Sequence, residues 1–389
     1  FLYMAAILYK YPMATNNNNN NGNPILRSLE TSCCFLATLF PKVFCTLVLT
    51  WSLYVLLFII PNYIKSSLNS TILNIIGITL YVLCIISYYK IILIGPGSPL
   101  DYPELRINDL NRMINENPYN NNNNDEEPGD LPPESMIIHT MKVNGNQGYR
   151  YCTKCSVWKP DRSHHCSSSG KCILKMDHYC PWFSTCIGFH NYKFFIQFLS
   201  YVAIYCWFLF IISGKILYNF ITEGLFEDEI LSLNLVAVLI LSFAFAIAVS
   251  VFAMFLIYLC CKNLTTIEFQ EKRWNYRGQA NDERFNYEFD NNGKRKKINT
   301  NIFDLGIMEN WKLVMGPNWI TWILPITVTV TANTKSMISQ DEFNNGVNFK
   351  VNEEIYAKYL HNAELQQQLN QQLSSYKDRL RRERQANIV

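Results

Sequence analysis

Four long uncharged apolar stretches constrain this chain more than any other feature of it. Val43–Ile60, Ile72–Tyr89, Phe194–Ser213 and Ile230–Cys261 each come close to or exceed the roughly 20 residues that a membrane-crossing helix needs. The first ends at Pro61, and the second runs past Lys90 to Ile94. The third stops at Gly214-Lys215, and the fourth is long enough to tilt or to project beyond a bilayer. No soluble domain in a chain of 389 residues needs four such helices in its core. A mean hydropathy near zero therefore hides a segregated chain, apolar spans alternating with polar arms. Charged residues make up only 17%, against about 25% for soluble domains, which excludes a simple soluble enzyme and a fully disordered protein. With Lys+Arg at 34 and Asp+Glu at 31, the charge balance implies no nucleic-acid partner.

The loops set an orientation. Pro61–Thr71 holds only Lys65, and Ile216–Glu229 holds no Lys or Arg but carries Glu223, Glu227, Asp228 and Glu229. Basic residues gather between spans two and three and in the tail, at Lys294–Lys297 and Arg379–Arg384. The positive-inside rule then puts both termini and the long middle loop in the cytosol. Residues 1–41 read as an Asn-rich cytosolic segment and 42–94 as spans one and two. Residues 95–193 form a cytosolic loop, with a disordered Asn-rich part at 108–135 and a cysteine-rich domain at about 150–193. Residues 194–261 hold spans three and four, and 262–389 a cytosolic C-terminal region. Its last segment, Glu364–Gln385, spaces Leu365, Leu369, Leu373, Tyr376 and Leu380 helically. It reads equally as a solvated helix, a short coiled coil or a helix on anionic lipid.

The 13 cysteines sort by place. Seven lie in or beside the apolar stretches, and six lie between Cys152 and Cys186, with four of the six histidines close by. An odd count with one dense cluster suits reduced cytosolic thiols, not a disulfide framework. Thiolates and imidazoles at such short spacings bind zinc tetrahedrally, and the metal folds a loop too polar to fold unaided. Zinc alone leaves Asp177-His178-Tyr179-Cys180 unexplained. A carboxylate beside a histidine orients the ring, and the histidine draws a proton from a nearby thiol, which makes Cys180 a candidate nucleophile.

Tyr151–Phe198 resembles the cysteine-rich domain of the DHHC protein S-acyltransferases, or palmitoyltransferases. Its spacing matches that family's Cys-x2-Cys-x9-His-Cys-x2-Cys-x2-Cys-x4-Asp-His-His-Cys-x5-Cys-x4-Asn throughout. The wording KPDRSHHCSS, CILKMDHYCPWF and GFHNYKFFIQF is most similar to a fungal subgroup acting at the vacuolar membrane. Gly95-Pro96-Gly97 sits at the family's Asp-Pro-Gly, Thr265-Thr266-Ile267-Glu268 at its Thr-Thr-x-Glu, and Asn310 at a key C-terminal asparagine. The resemblance covers roughly Lys42 to Trp319. It implies an all-α polytopic membrane protein of four transmembrane helices with a small zinc-bound cytosolic domain.

The resemblance also assigns roles. Asp177 orients His178, His178 activates Cys180, and Cys180 takes a long-chain acyl group from palmitoyl-CoA and passes it to a cytosolic protein thiol. Thr266 and Asn310 brace the active-site loop. One structural zinc site uses Cys152, Cys155, His165 and Cys172. The other uses Cys166, residue 169, residue 179 and Cys186, and here Ser169 and Tyr179 replace a cysteine and a histidine. A hydroxyl and a neutral phenol are poor ligands, so one zinc is expected and the second site is doubtful. Arg162, Lys171 and Lys175 are the cations available for CoA phosphates, and Trp207, Phe208, Phe243 and Phe245 are candidates to line an acyl cavity. The partners implied are protein substrates with cytosolic cysteines, palmitoyl-CoA and the lipid bilayer. The membrane implied is the vacuolar one, with Golgi or ER as alternatives. Two other readings are a zinc scaffold that has lost turnover and a RING-like ubiquitin ligase. The ligase is disfavoured because a RING needs two full zinc sites and gives no reason for Asp177-His178 before Cys180.

Overall fold

A computed structural model describes residues 24–64, 66–108, 132–140, 149–222, 231–270, 287–289, 295–297, 301–327 and 344–386. The Asn runs at 16–21 and 120–124 and the acidic residues between 223 and 229 lie outside them. Four helices dominate: α1 (Pro24–Tyr54), α2 (Ser67–Ile94), α3 (Tyr192–Thr222) and α4 (Leu233–Cys261). Each supplies a stretch long and apolar enough to cross a membrane: Phe35–Tyr63, Ser67–Ile94, Tyr192–Thr222 and Leu233–Cys261. Within hydrocarbon every backbone polar group needs an internal partner, which is why the spans are helical. Hydroxyls within them bond back to their own helix: Thr46 Oγ1 donates to the Lys42 carbonyl at 2.8 Å and Ser213 Oγ to Leu209 at 2.6 Å.

The boundaries differ from the apolar runs for local reasons. α1 begins well before Val43 and passes through Pro41, then closes in a π turn (Val55–Ile59) and a 3-10 turn (Ile60–Tyr63) at Pro61. α3 continues through Gly214-Lys215, because one glycine and one charge do not stop a helix that is packed along its length. α2 is capped by the Ser66 side chain and ends at Gly95, whose φ of 69° an L side chain rarely adopts.

The helices bury their facing sides and leave the others apolar and exposed, as at Phe58, Ile75, Ile211 and Val251, which suits lipid surroundings. One core cluster, with Leu56, Cys84, Tyr205, Leu209 and Val238, binds the spans to each other. A second, with Tyr88, Ile91, Phe183, Phe195 and Leu256, joins them to the cysteine-rich domain.

That domain is built from three short antiparallel hairpins: β1–β2 (Tyr151–Cys152, Val157–Trp158), β3–β4 (His164–Cys166, Lys171–Ile173) and β5–β6 (His178–Cys180, Thr185–Ile187). It docks on the loop after α2, where Leu174 N donates to Gly97 O and His190 N to Pro96 O, each at 3.2 Å. A Cβ on Gly97 would lie 2.3 Å from the His190 ring, so only glycine admits this approach.

After α4 the chain forms α5 (Ile307–Met315) and α6 (Trp319–Ile323) and returns along α3. Gln197 Nε2 donates to the carbonyls of Thr321, Trp322 and Leu324, which satisfies the amide nitrogen of a side chain buried in a span. Residues 344–349 then pack on the cysteine-rich domain, where Val347 clusters with Trp158 and Leu174, and on the segment before it, where Asn348 bonds Ile137 N and Ser135 O. α7 (Glu353–Ala386) begins well before Glu364.

Candidate active site

Strand register brings the site together. His165 faces Cys172 across the second hairpin, and Tyr179 faces Cys186 across the third. Cys152 and Cys155 of the first hairpin close on the first of these pairs. The ligand atoms of Cys152, Cys155, His165 and Cys172 all lie within 4.8 Å of one another. His165 Nδ1 is 3.6, 3.2 and 3.9 Å from the sulfurs of Cys152, Cys155 and Cys172. Bond lengths of about 2.0–2.3 Å around tetrahedral zinc put neighbouring donors about 3.5 Å apart, so this set fits the ion. Hydrogen bonding from Cys172, supported by His165 against the effect of burial, lowers the Cys155 thiol to about 5, which favours the thiolate that zinc binds.

Asp177, His178 and Cys180 meet on the third hairpin. The Asp177 side chain is 1% exposed and its Oδ2 lies 2.8 Å from His178 Nδ1. This contact fixes Nδ1 as the protonated nitrogen and leaves Nε2 for another partner, and Cys180, two residues on in the same strand, shares a face with His178 and favours its charged form. Burial alone would lower the imidazole, but Asp177 and Cys180 together raise it to about 9. Thr266 holds the carboxylate from outside. Its N–H donates to Asp177 Oδ1 at 2.8 Å and its hydroxyl to the Asp177 carbonyl. Asn310 acts one step further back, donating to Cys261 O at 2.8 Å and Asp304 Oδ1 at 2.7 Å, so it ties α5 to the end of α4.

Cys180 is 7% exposed and lies at the edge of a cavity of about 300 Å³ lined from all four spans. Trp182, Phe183 and Phe195 surround its head, and Ser52, Tyr205 and Leu209 line it deeper in the spans. Ser52 Oγ donates to the Tyr205 hydroxyl at 3.2 Å and joins α1 to α3 across it. Of the four aromatics expected to line such a cavity, only Phe245 does so. Trp207 instead bonds Ser250 at 3.0 Å, Phe243 packs tilted against Phe210 with ring centroids 4.8 Å apart, and Phe208 packs beside Gly77.

Arg162 and Lys175 are not at the surface. Arg162 is 1% exposed in its side chain, grips Glu268 at 2.7 and 2.8 Å, and bonds Asn263 at 2.9 Å twice. Its guanidinium also lies 4.5 Å from the Phe303 ring centroid. Lys175 bonds Asn263 Oδ1 at 3.1 Å, and burial, then Arg162, push it down to about 7. Expecting these two to hold CoA phosphates therefore fails: both are committed to an internal network that clamps the Thr265–Glu268 segment onto the domain. Lys171 is half-buried on β4.

Three contributors have no role in the reading from sequence. Tyr88 donates to the Trp182 carbonyl at 2.9 Å and lines the cavity beside Cys180. Asn263 joins Arg162, Lys175 and the Phe303 carbonyl. Asn191 accepts from Gly188 N at 2.9 Å and donates to Cys186 O and Ile91 O, tying the third hairpin to α2. Only Asn191 carried a signal, as the last position of the spaced motif.

A buried thiol beside an Asp–His pair, opening on an apolar cavity among four membrane-type helices, is the arrangement of a membrane-embedded cysteine acyltransferase. The family model for DHHC palmitoyltransferase matches residues 145–273. Palmitoyltransferase PFA3 of Debaryomyces hansenii is 47% identical over 392 residues, covering 94% of this chain and 95% of that protein. Palmitoyltransferase PFA3 of Eremothecium gossypii is 39% identical, covering 87% and 96%, and that of Saccharomyces cerevisiae 38%, covering 86% and 91%. The chain belongs to the DHHC palmitoyltransferase family, and its activity is protein S-palmitoylation.

Proposed function

We propose that Cys180 is the acyl carrier, with palmitoyl-CoA as donor and cytosolic or membrane-associated protein thiols as acceptors. The observation that carries this reading is the single cavity edge where Cys180, backed by His178 and Asp177, meets an apolar space among the spans. The Cys180 thiolate attacks the thioester carbonyl, a new bond forms between Sγ and the acyl carbon, and CoA leaves as its thiol with the proton held by His178. An acceptor thiol then attacks the acyl-Cys180 thioester, gives its proton to His178, and releases Cys180. Both steps exchange one thioester for another, so no external energy source is needed. Asp177 fixes the His178 tautomer and stabilises the imidazolium.

Burying the chain is worth about 0.8 kcal/mol per methylene, which favours a site inside the membrane over one in water. Zinc at Cys152, Cys155, His165 and Cys172 would be structural, since four protein ligands leave no open position for chemistry. Lys42 takes over the cation role that Arg162 and Lys175 do not fill. On α1 it lies between Thr38, whose carbonyl accepts from Ser184 Oγ at 2.9 Å, and the cavity-lining Cys45. Spacings of four and three residues put these on one helix face, so Lys42 stands at the mouth where the CoA portion leaves. Lys42→Ala should raise KM for palmitoyl-CoA several-fold and leave kcat near wild type; an unchanged KM contradicts the assignment.

The cytosolic placing of both termini is supported by the charge of the loops, and the vacuolar membrane by the wording of the motif segments. A fluorescently tagged chain that stays in ER or Golgi contradicts the latter. The scaffold reading is weaker, because Ser169 and Tyr179 are outside the Asp177–His178–Cys180 contacts. Incubation with a labelled palmitoyl-CoA analogue tests the assignment: wild type should take up hydroxylamine-removable label and pass it to an added cysteine peptide. Failure of both steps contradicts it.

A further inference from the structure

The cysteine-rich domain repeats itself every 14 residues: Cys152, Cys166 and Cys180 hold equivalent places, as do Cys155, Ser169 and Phe183. The backbone repeats too. Ser156, Gly170 and Ser184, with φ of 50°, 66° and 50°, turn each hairpin. In the first knuckle, positions 152 and 155 of one hairpin meet the cross-strand pair His165–Cys172 of the next. One repeat on, positions 166 and 169 should meet the cross-strand pair Tyr179–Cys186. The structure brings these four together. Ser169 Oγ lies 3.5 Å from Cys186 Sγ, and Cys166, Cys186 and Tyr179 share one cluster with Ile173 and Met176.

The geometry of a second knuckle is therefore built, but its donors do not fit a metal. Two thiols remain, beside a hydroxyl and a phenol that are neutral at physiological pH and bind zinc poorly. Ile173 and Met176 close the pocket with apolar surface. Among the described residues, the only group with the donor number and spacing for a metal is the first knuckle.

We propose that the protein holds a single zinc, in the first knuckle, and that the second is a metal-free pocket packed by the Tyr179 ring and the Cys166 and Cys186 thiols. This rests on the reading of the first knuckle as a zinc site. Its consequence falls on the active site, because Tyr179 separates His178 from Cys180. No metal clamps this strand. Its place is held instead by Thr266 on Asp177 and by Asn191, which donates to Cys186 O at 3.0 Å.

The test is zinc content per chain. Full-length protein is purified in detergent, exposed to zinc, desalted and measured by atomic spectroscopy. Wild type and Cys186→Ser should each hold about one zinc, and Ser169→Cys/Tyr179→His should hold about two. Two zincs in wild type, or loss of the one zinc in Cys186→Ser, overturns the proposal. A folded double variant that stays at one overturns the claim that residues 169 and 179 keep metal out. If the double variant does not fold, the first two proteins still decide. A wild-type value near zero refutes the zinc reading of the first knuckle, and is told apart by Cys152→Ser then leaving the value unchanged.

Discussion

At the scale of the residue, the site is a short relay: Thr266 on Asp177, Asp177 on His178, His178 toward Cys180. The folded chain holds the His178 proton up to about 9, against about 6.5 for a free imidazole. Its raised affinity adds stability that is complete below about pH 6.5 and is lost as pH climbs through about 9. The gap in thermal midpoint between wild type and His178→Gln should therefore be constant below about 6.5 and close toward pH 9. A gap that widens over that range contradicts the assigned contacts. The candidate nucleophile and its base were legible from their adjacency and the cysteine cluster from its density, while the division of that cluster into a four-donor first knuckle came from the family resemblance. Arg162 and Lys175 were misread because a sequence displays charge and not burial. Both are lysine- or arginine-rich text until Glu268 and Asn263, some hundred residues on, fold over them.

At the scale of the element, two joints carry the design. The first is the Ser52–Tyr205 contact that crosses the cavity from α1 to α3. Tyr205→Ala should open it and shift preference toward acyl chains longer than palmitoyl in a competition among acyl-CoAs; an unchanged preference removes Tyr205 from the cavity's limits. The second joint is Arg162–Glu268. Arg162→Ala leaves Glu268 without its charge partner and should cost roughly 3 kcal/mol of stability, read as a lower thermal midpoint in detergent. A loss under about 1 kcal/mol would mean that Phe303, Asn263 and solvent suffice. The spans were legible from their uncharged runs, but their ends were not. Packing carries α1 through Pro41 and α3 past Gly214, while propensity would have stopped them. The three hairpins were illegible as strands, being two or three residues each, yet their ligand spacing announced them as knuckles.

At the scale of the whole molecule, segments distant in sequence converge on the cysteine-rich domain. The loop after α2, the segment after α4 and residues 344–349 each pack on the cysteine-rich domain, which sits over the cavity the spans enclose. That convergence explains why Tyr88, Asn191 and Asn263 went unread: each acts across separate elements, and none stands in a local pattern of its own except Asn191. On the proposed mechanism the chemistry draws on the entire fold, since the thiol comes from the domain, the acyl space from four helices and the restraint on Asp177 from beyond the last of them. The central claim is that Cys180 bears the acyl group. Peptide mapping by mass spectrometry of full-length protein, quenched at low pH after brief exposure to palmitoyl-CoA, tests it most directly. The account predicts one hydroxylamine-labile palmitoyl adduct on Cys180, absent from Cys180→Ser. An adduct on Cys45 or another thiol that persists in Cys180→Ser, with Cys180 unmodified in wild type, would contradict it.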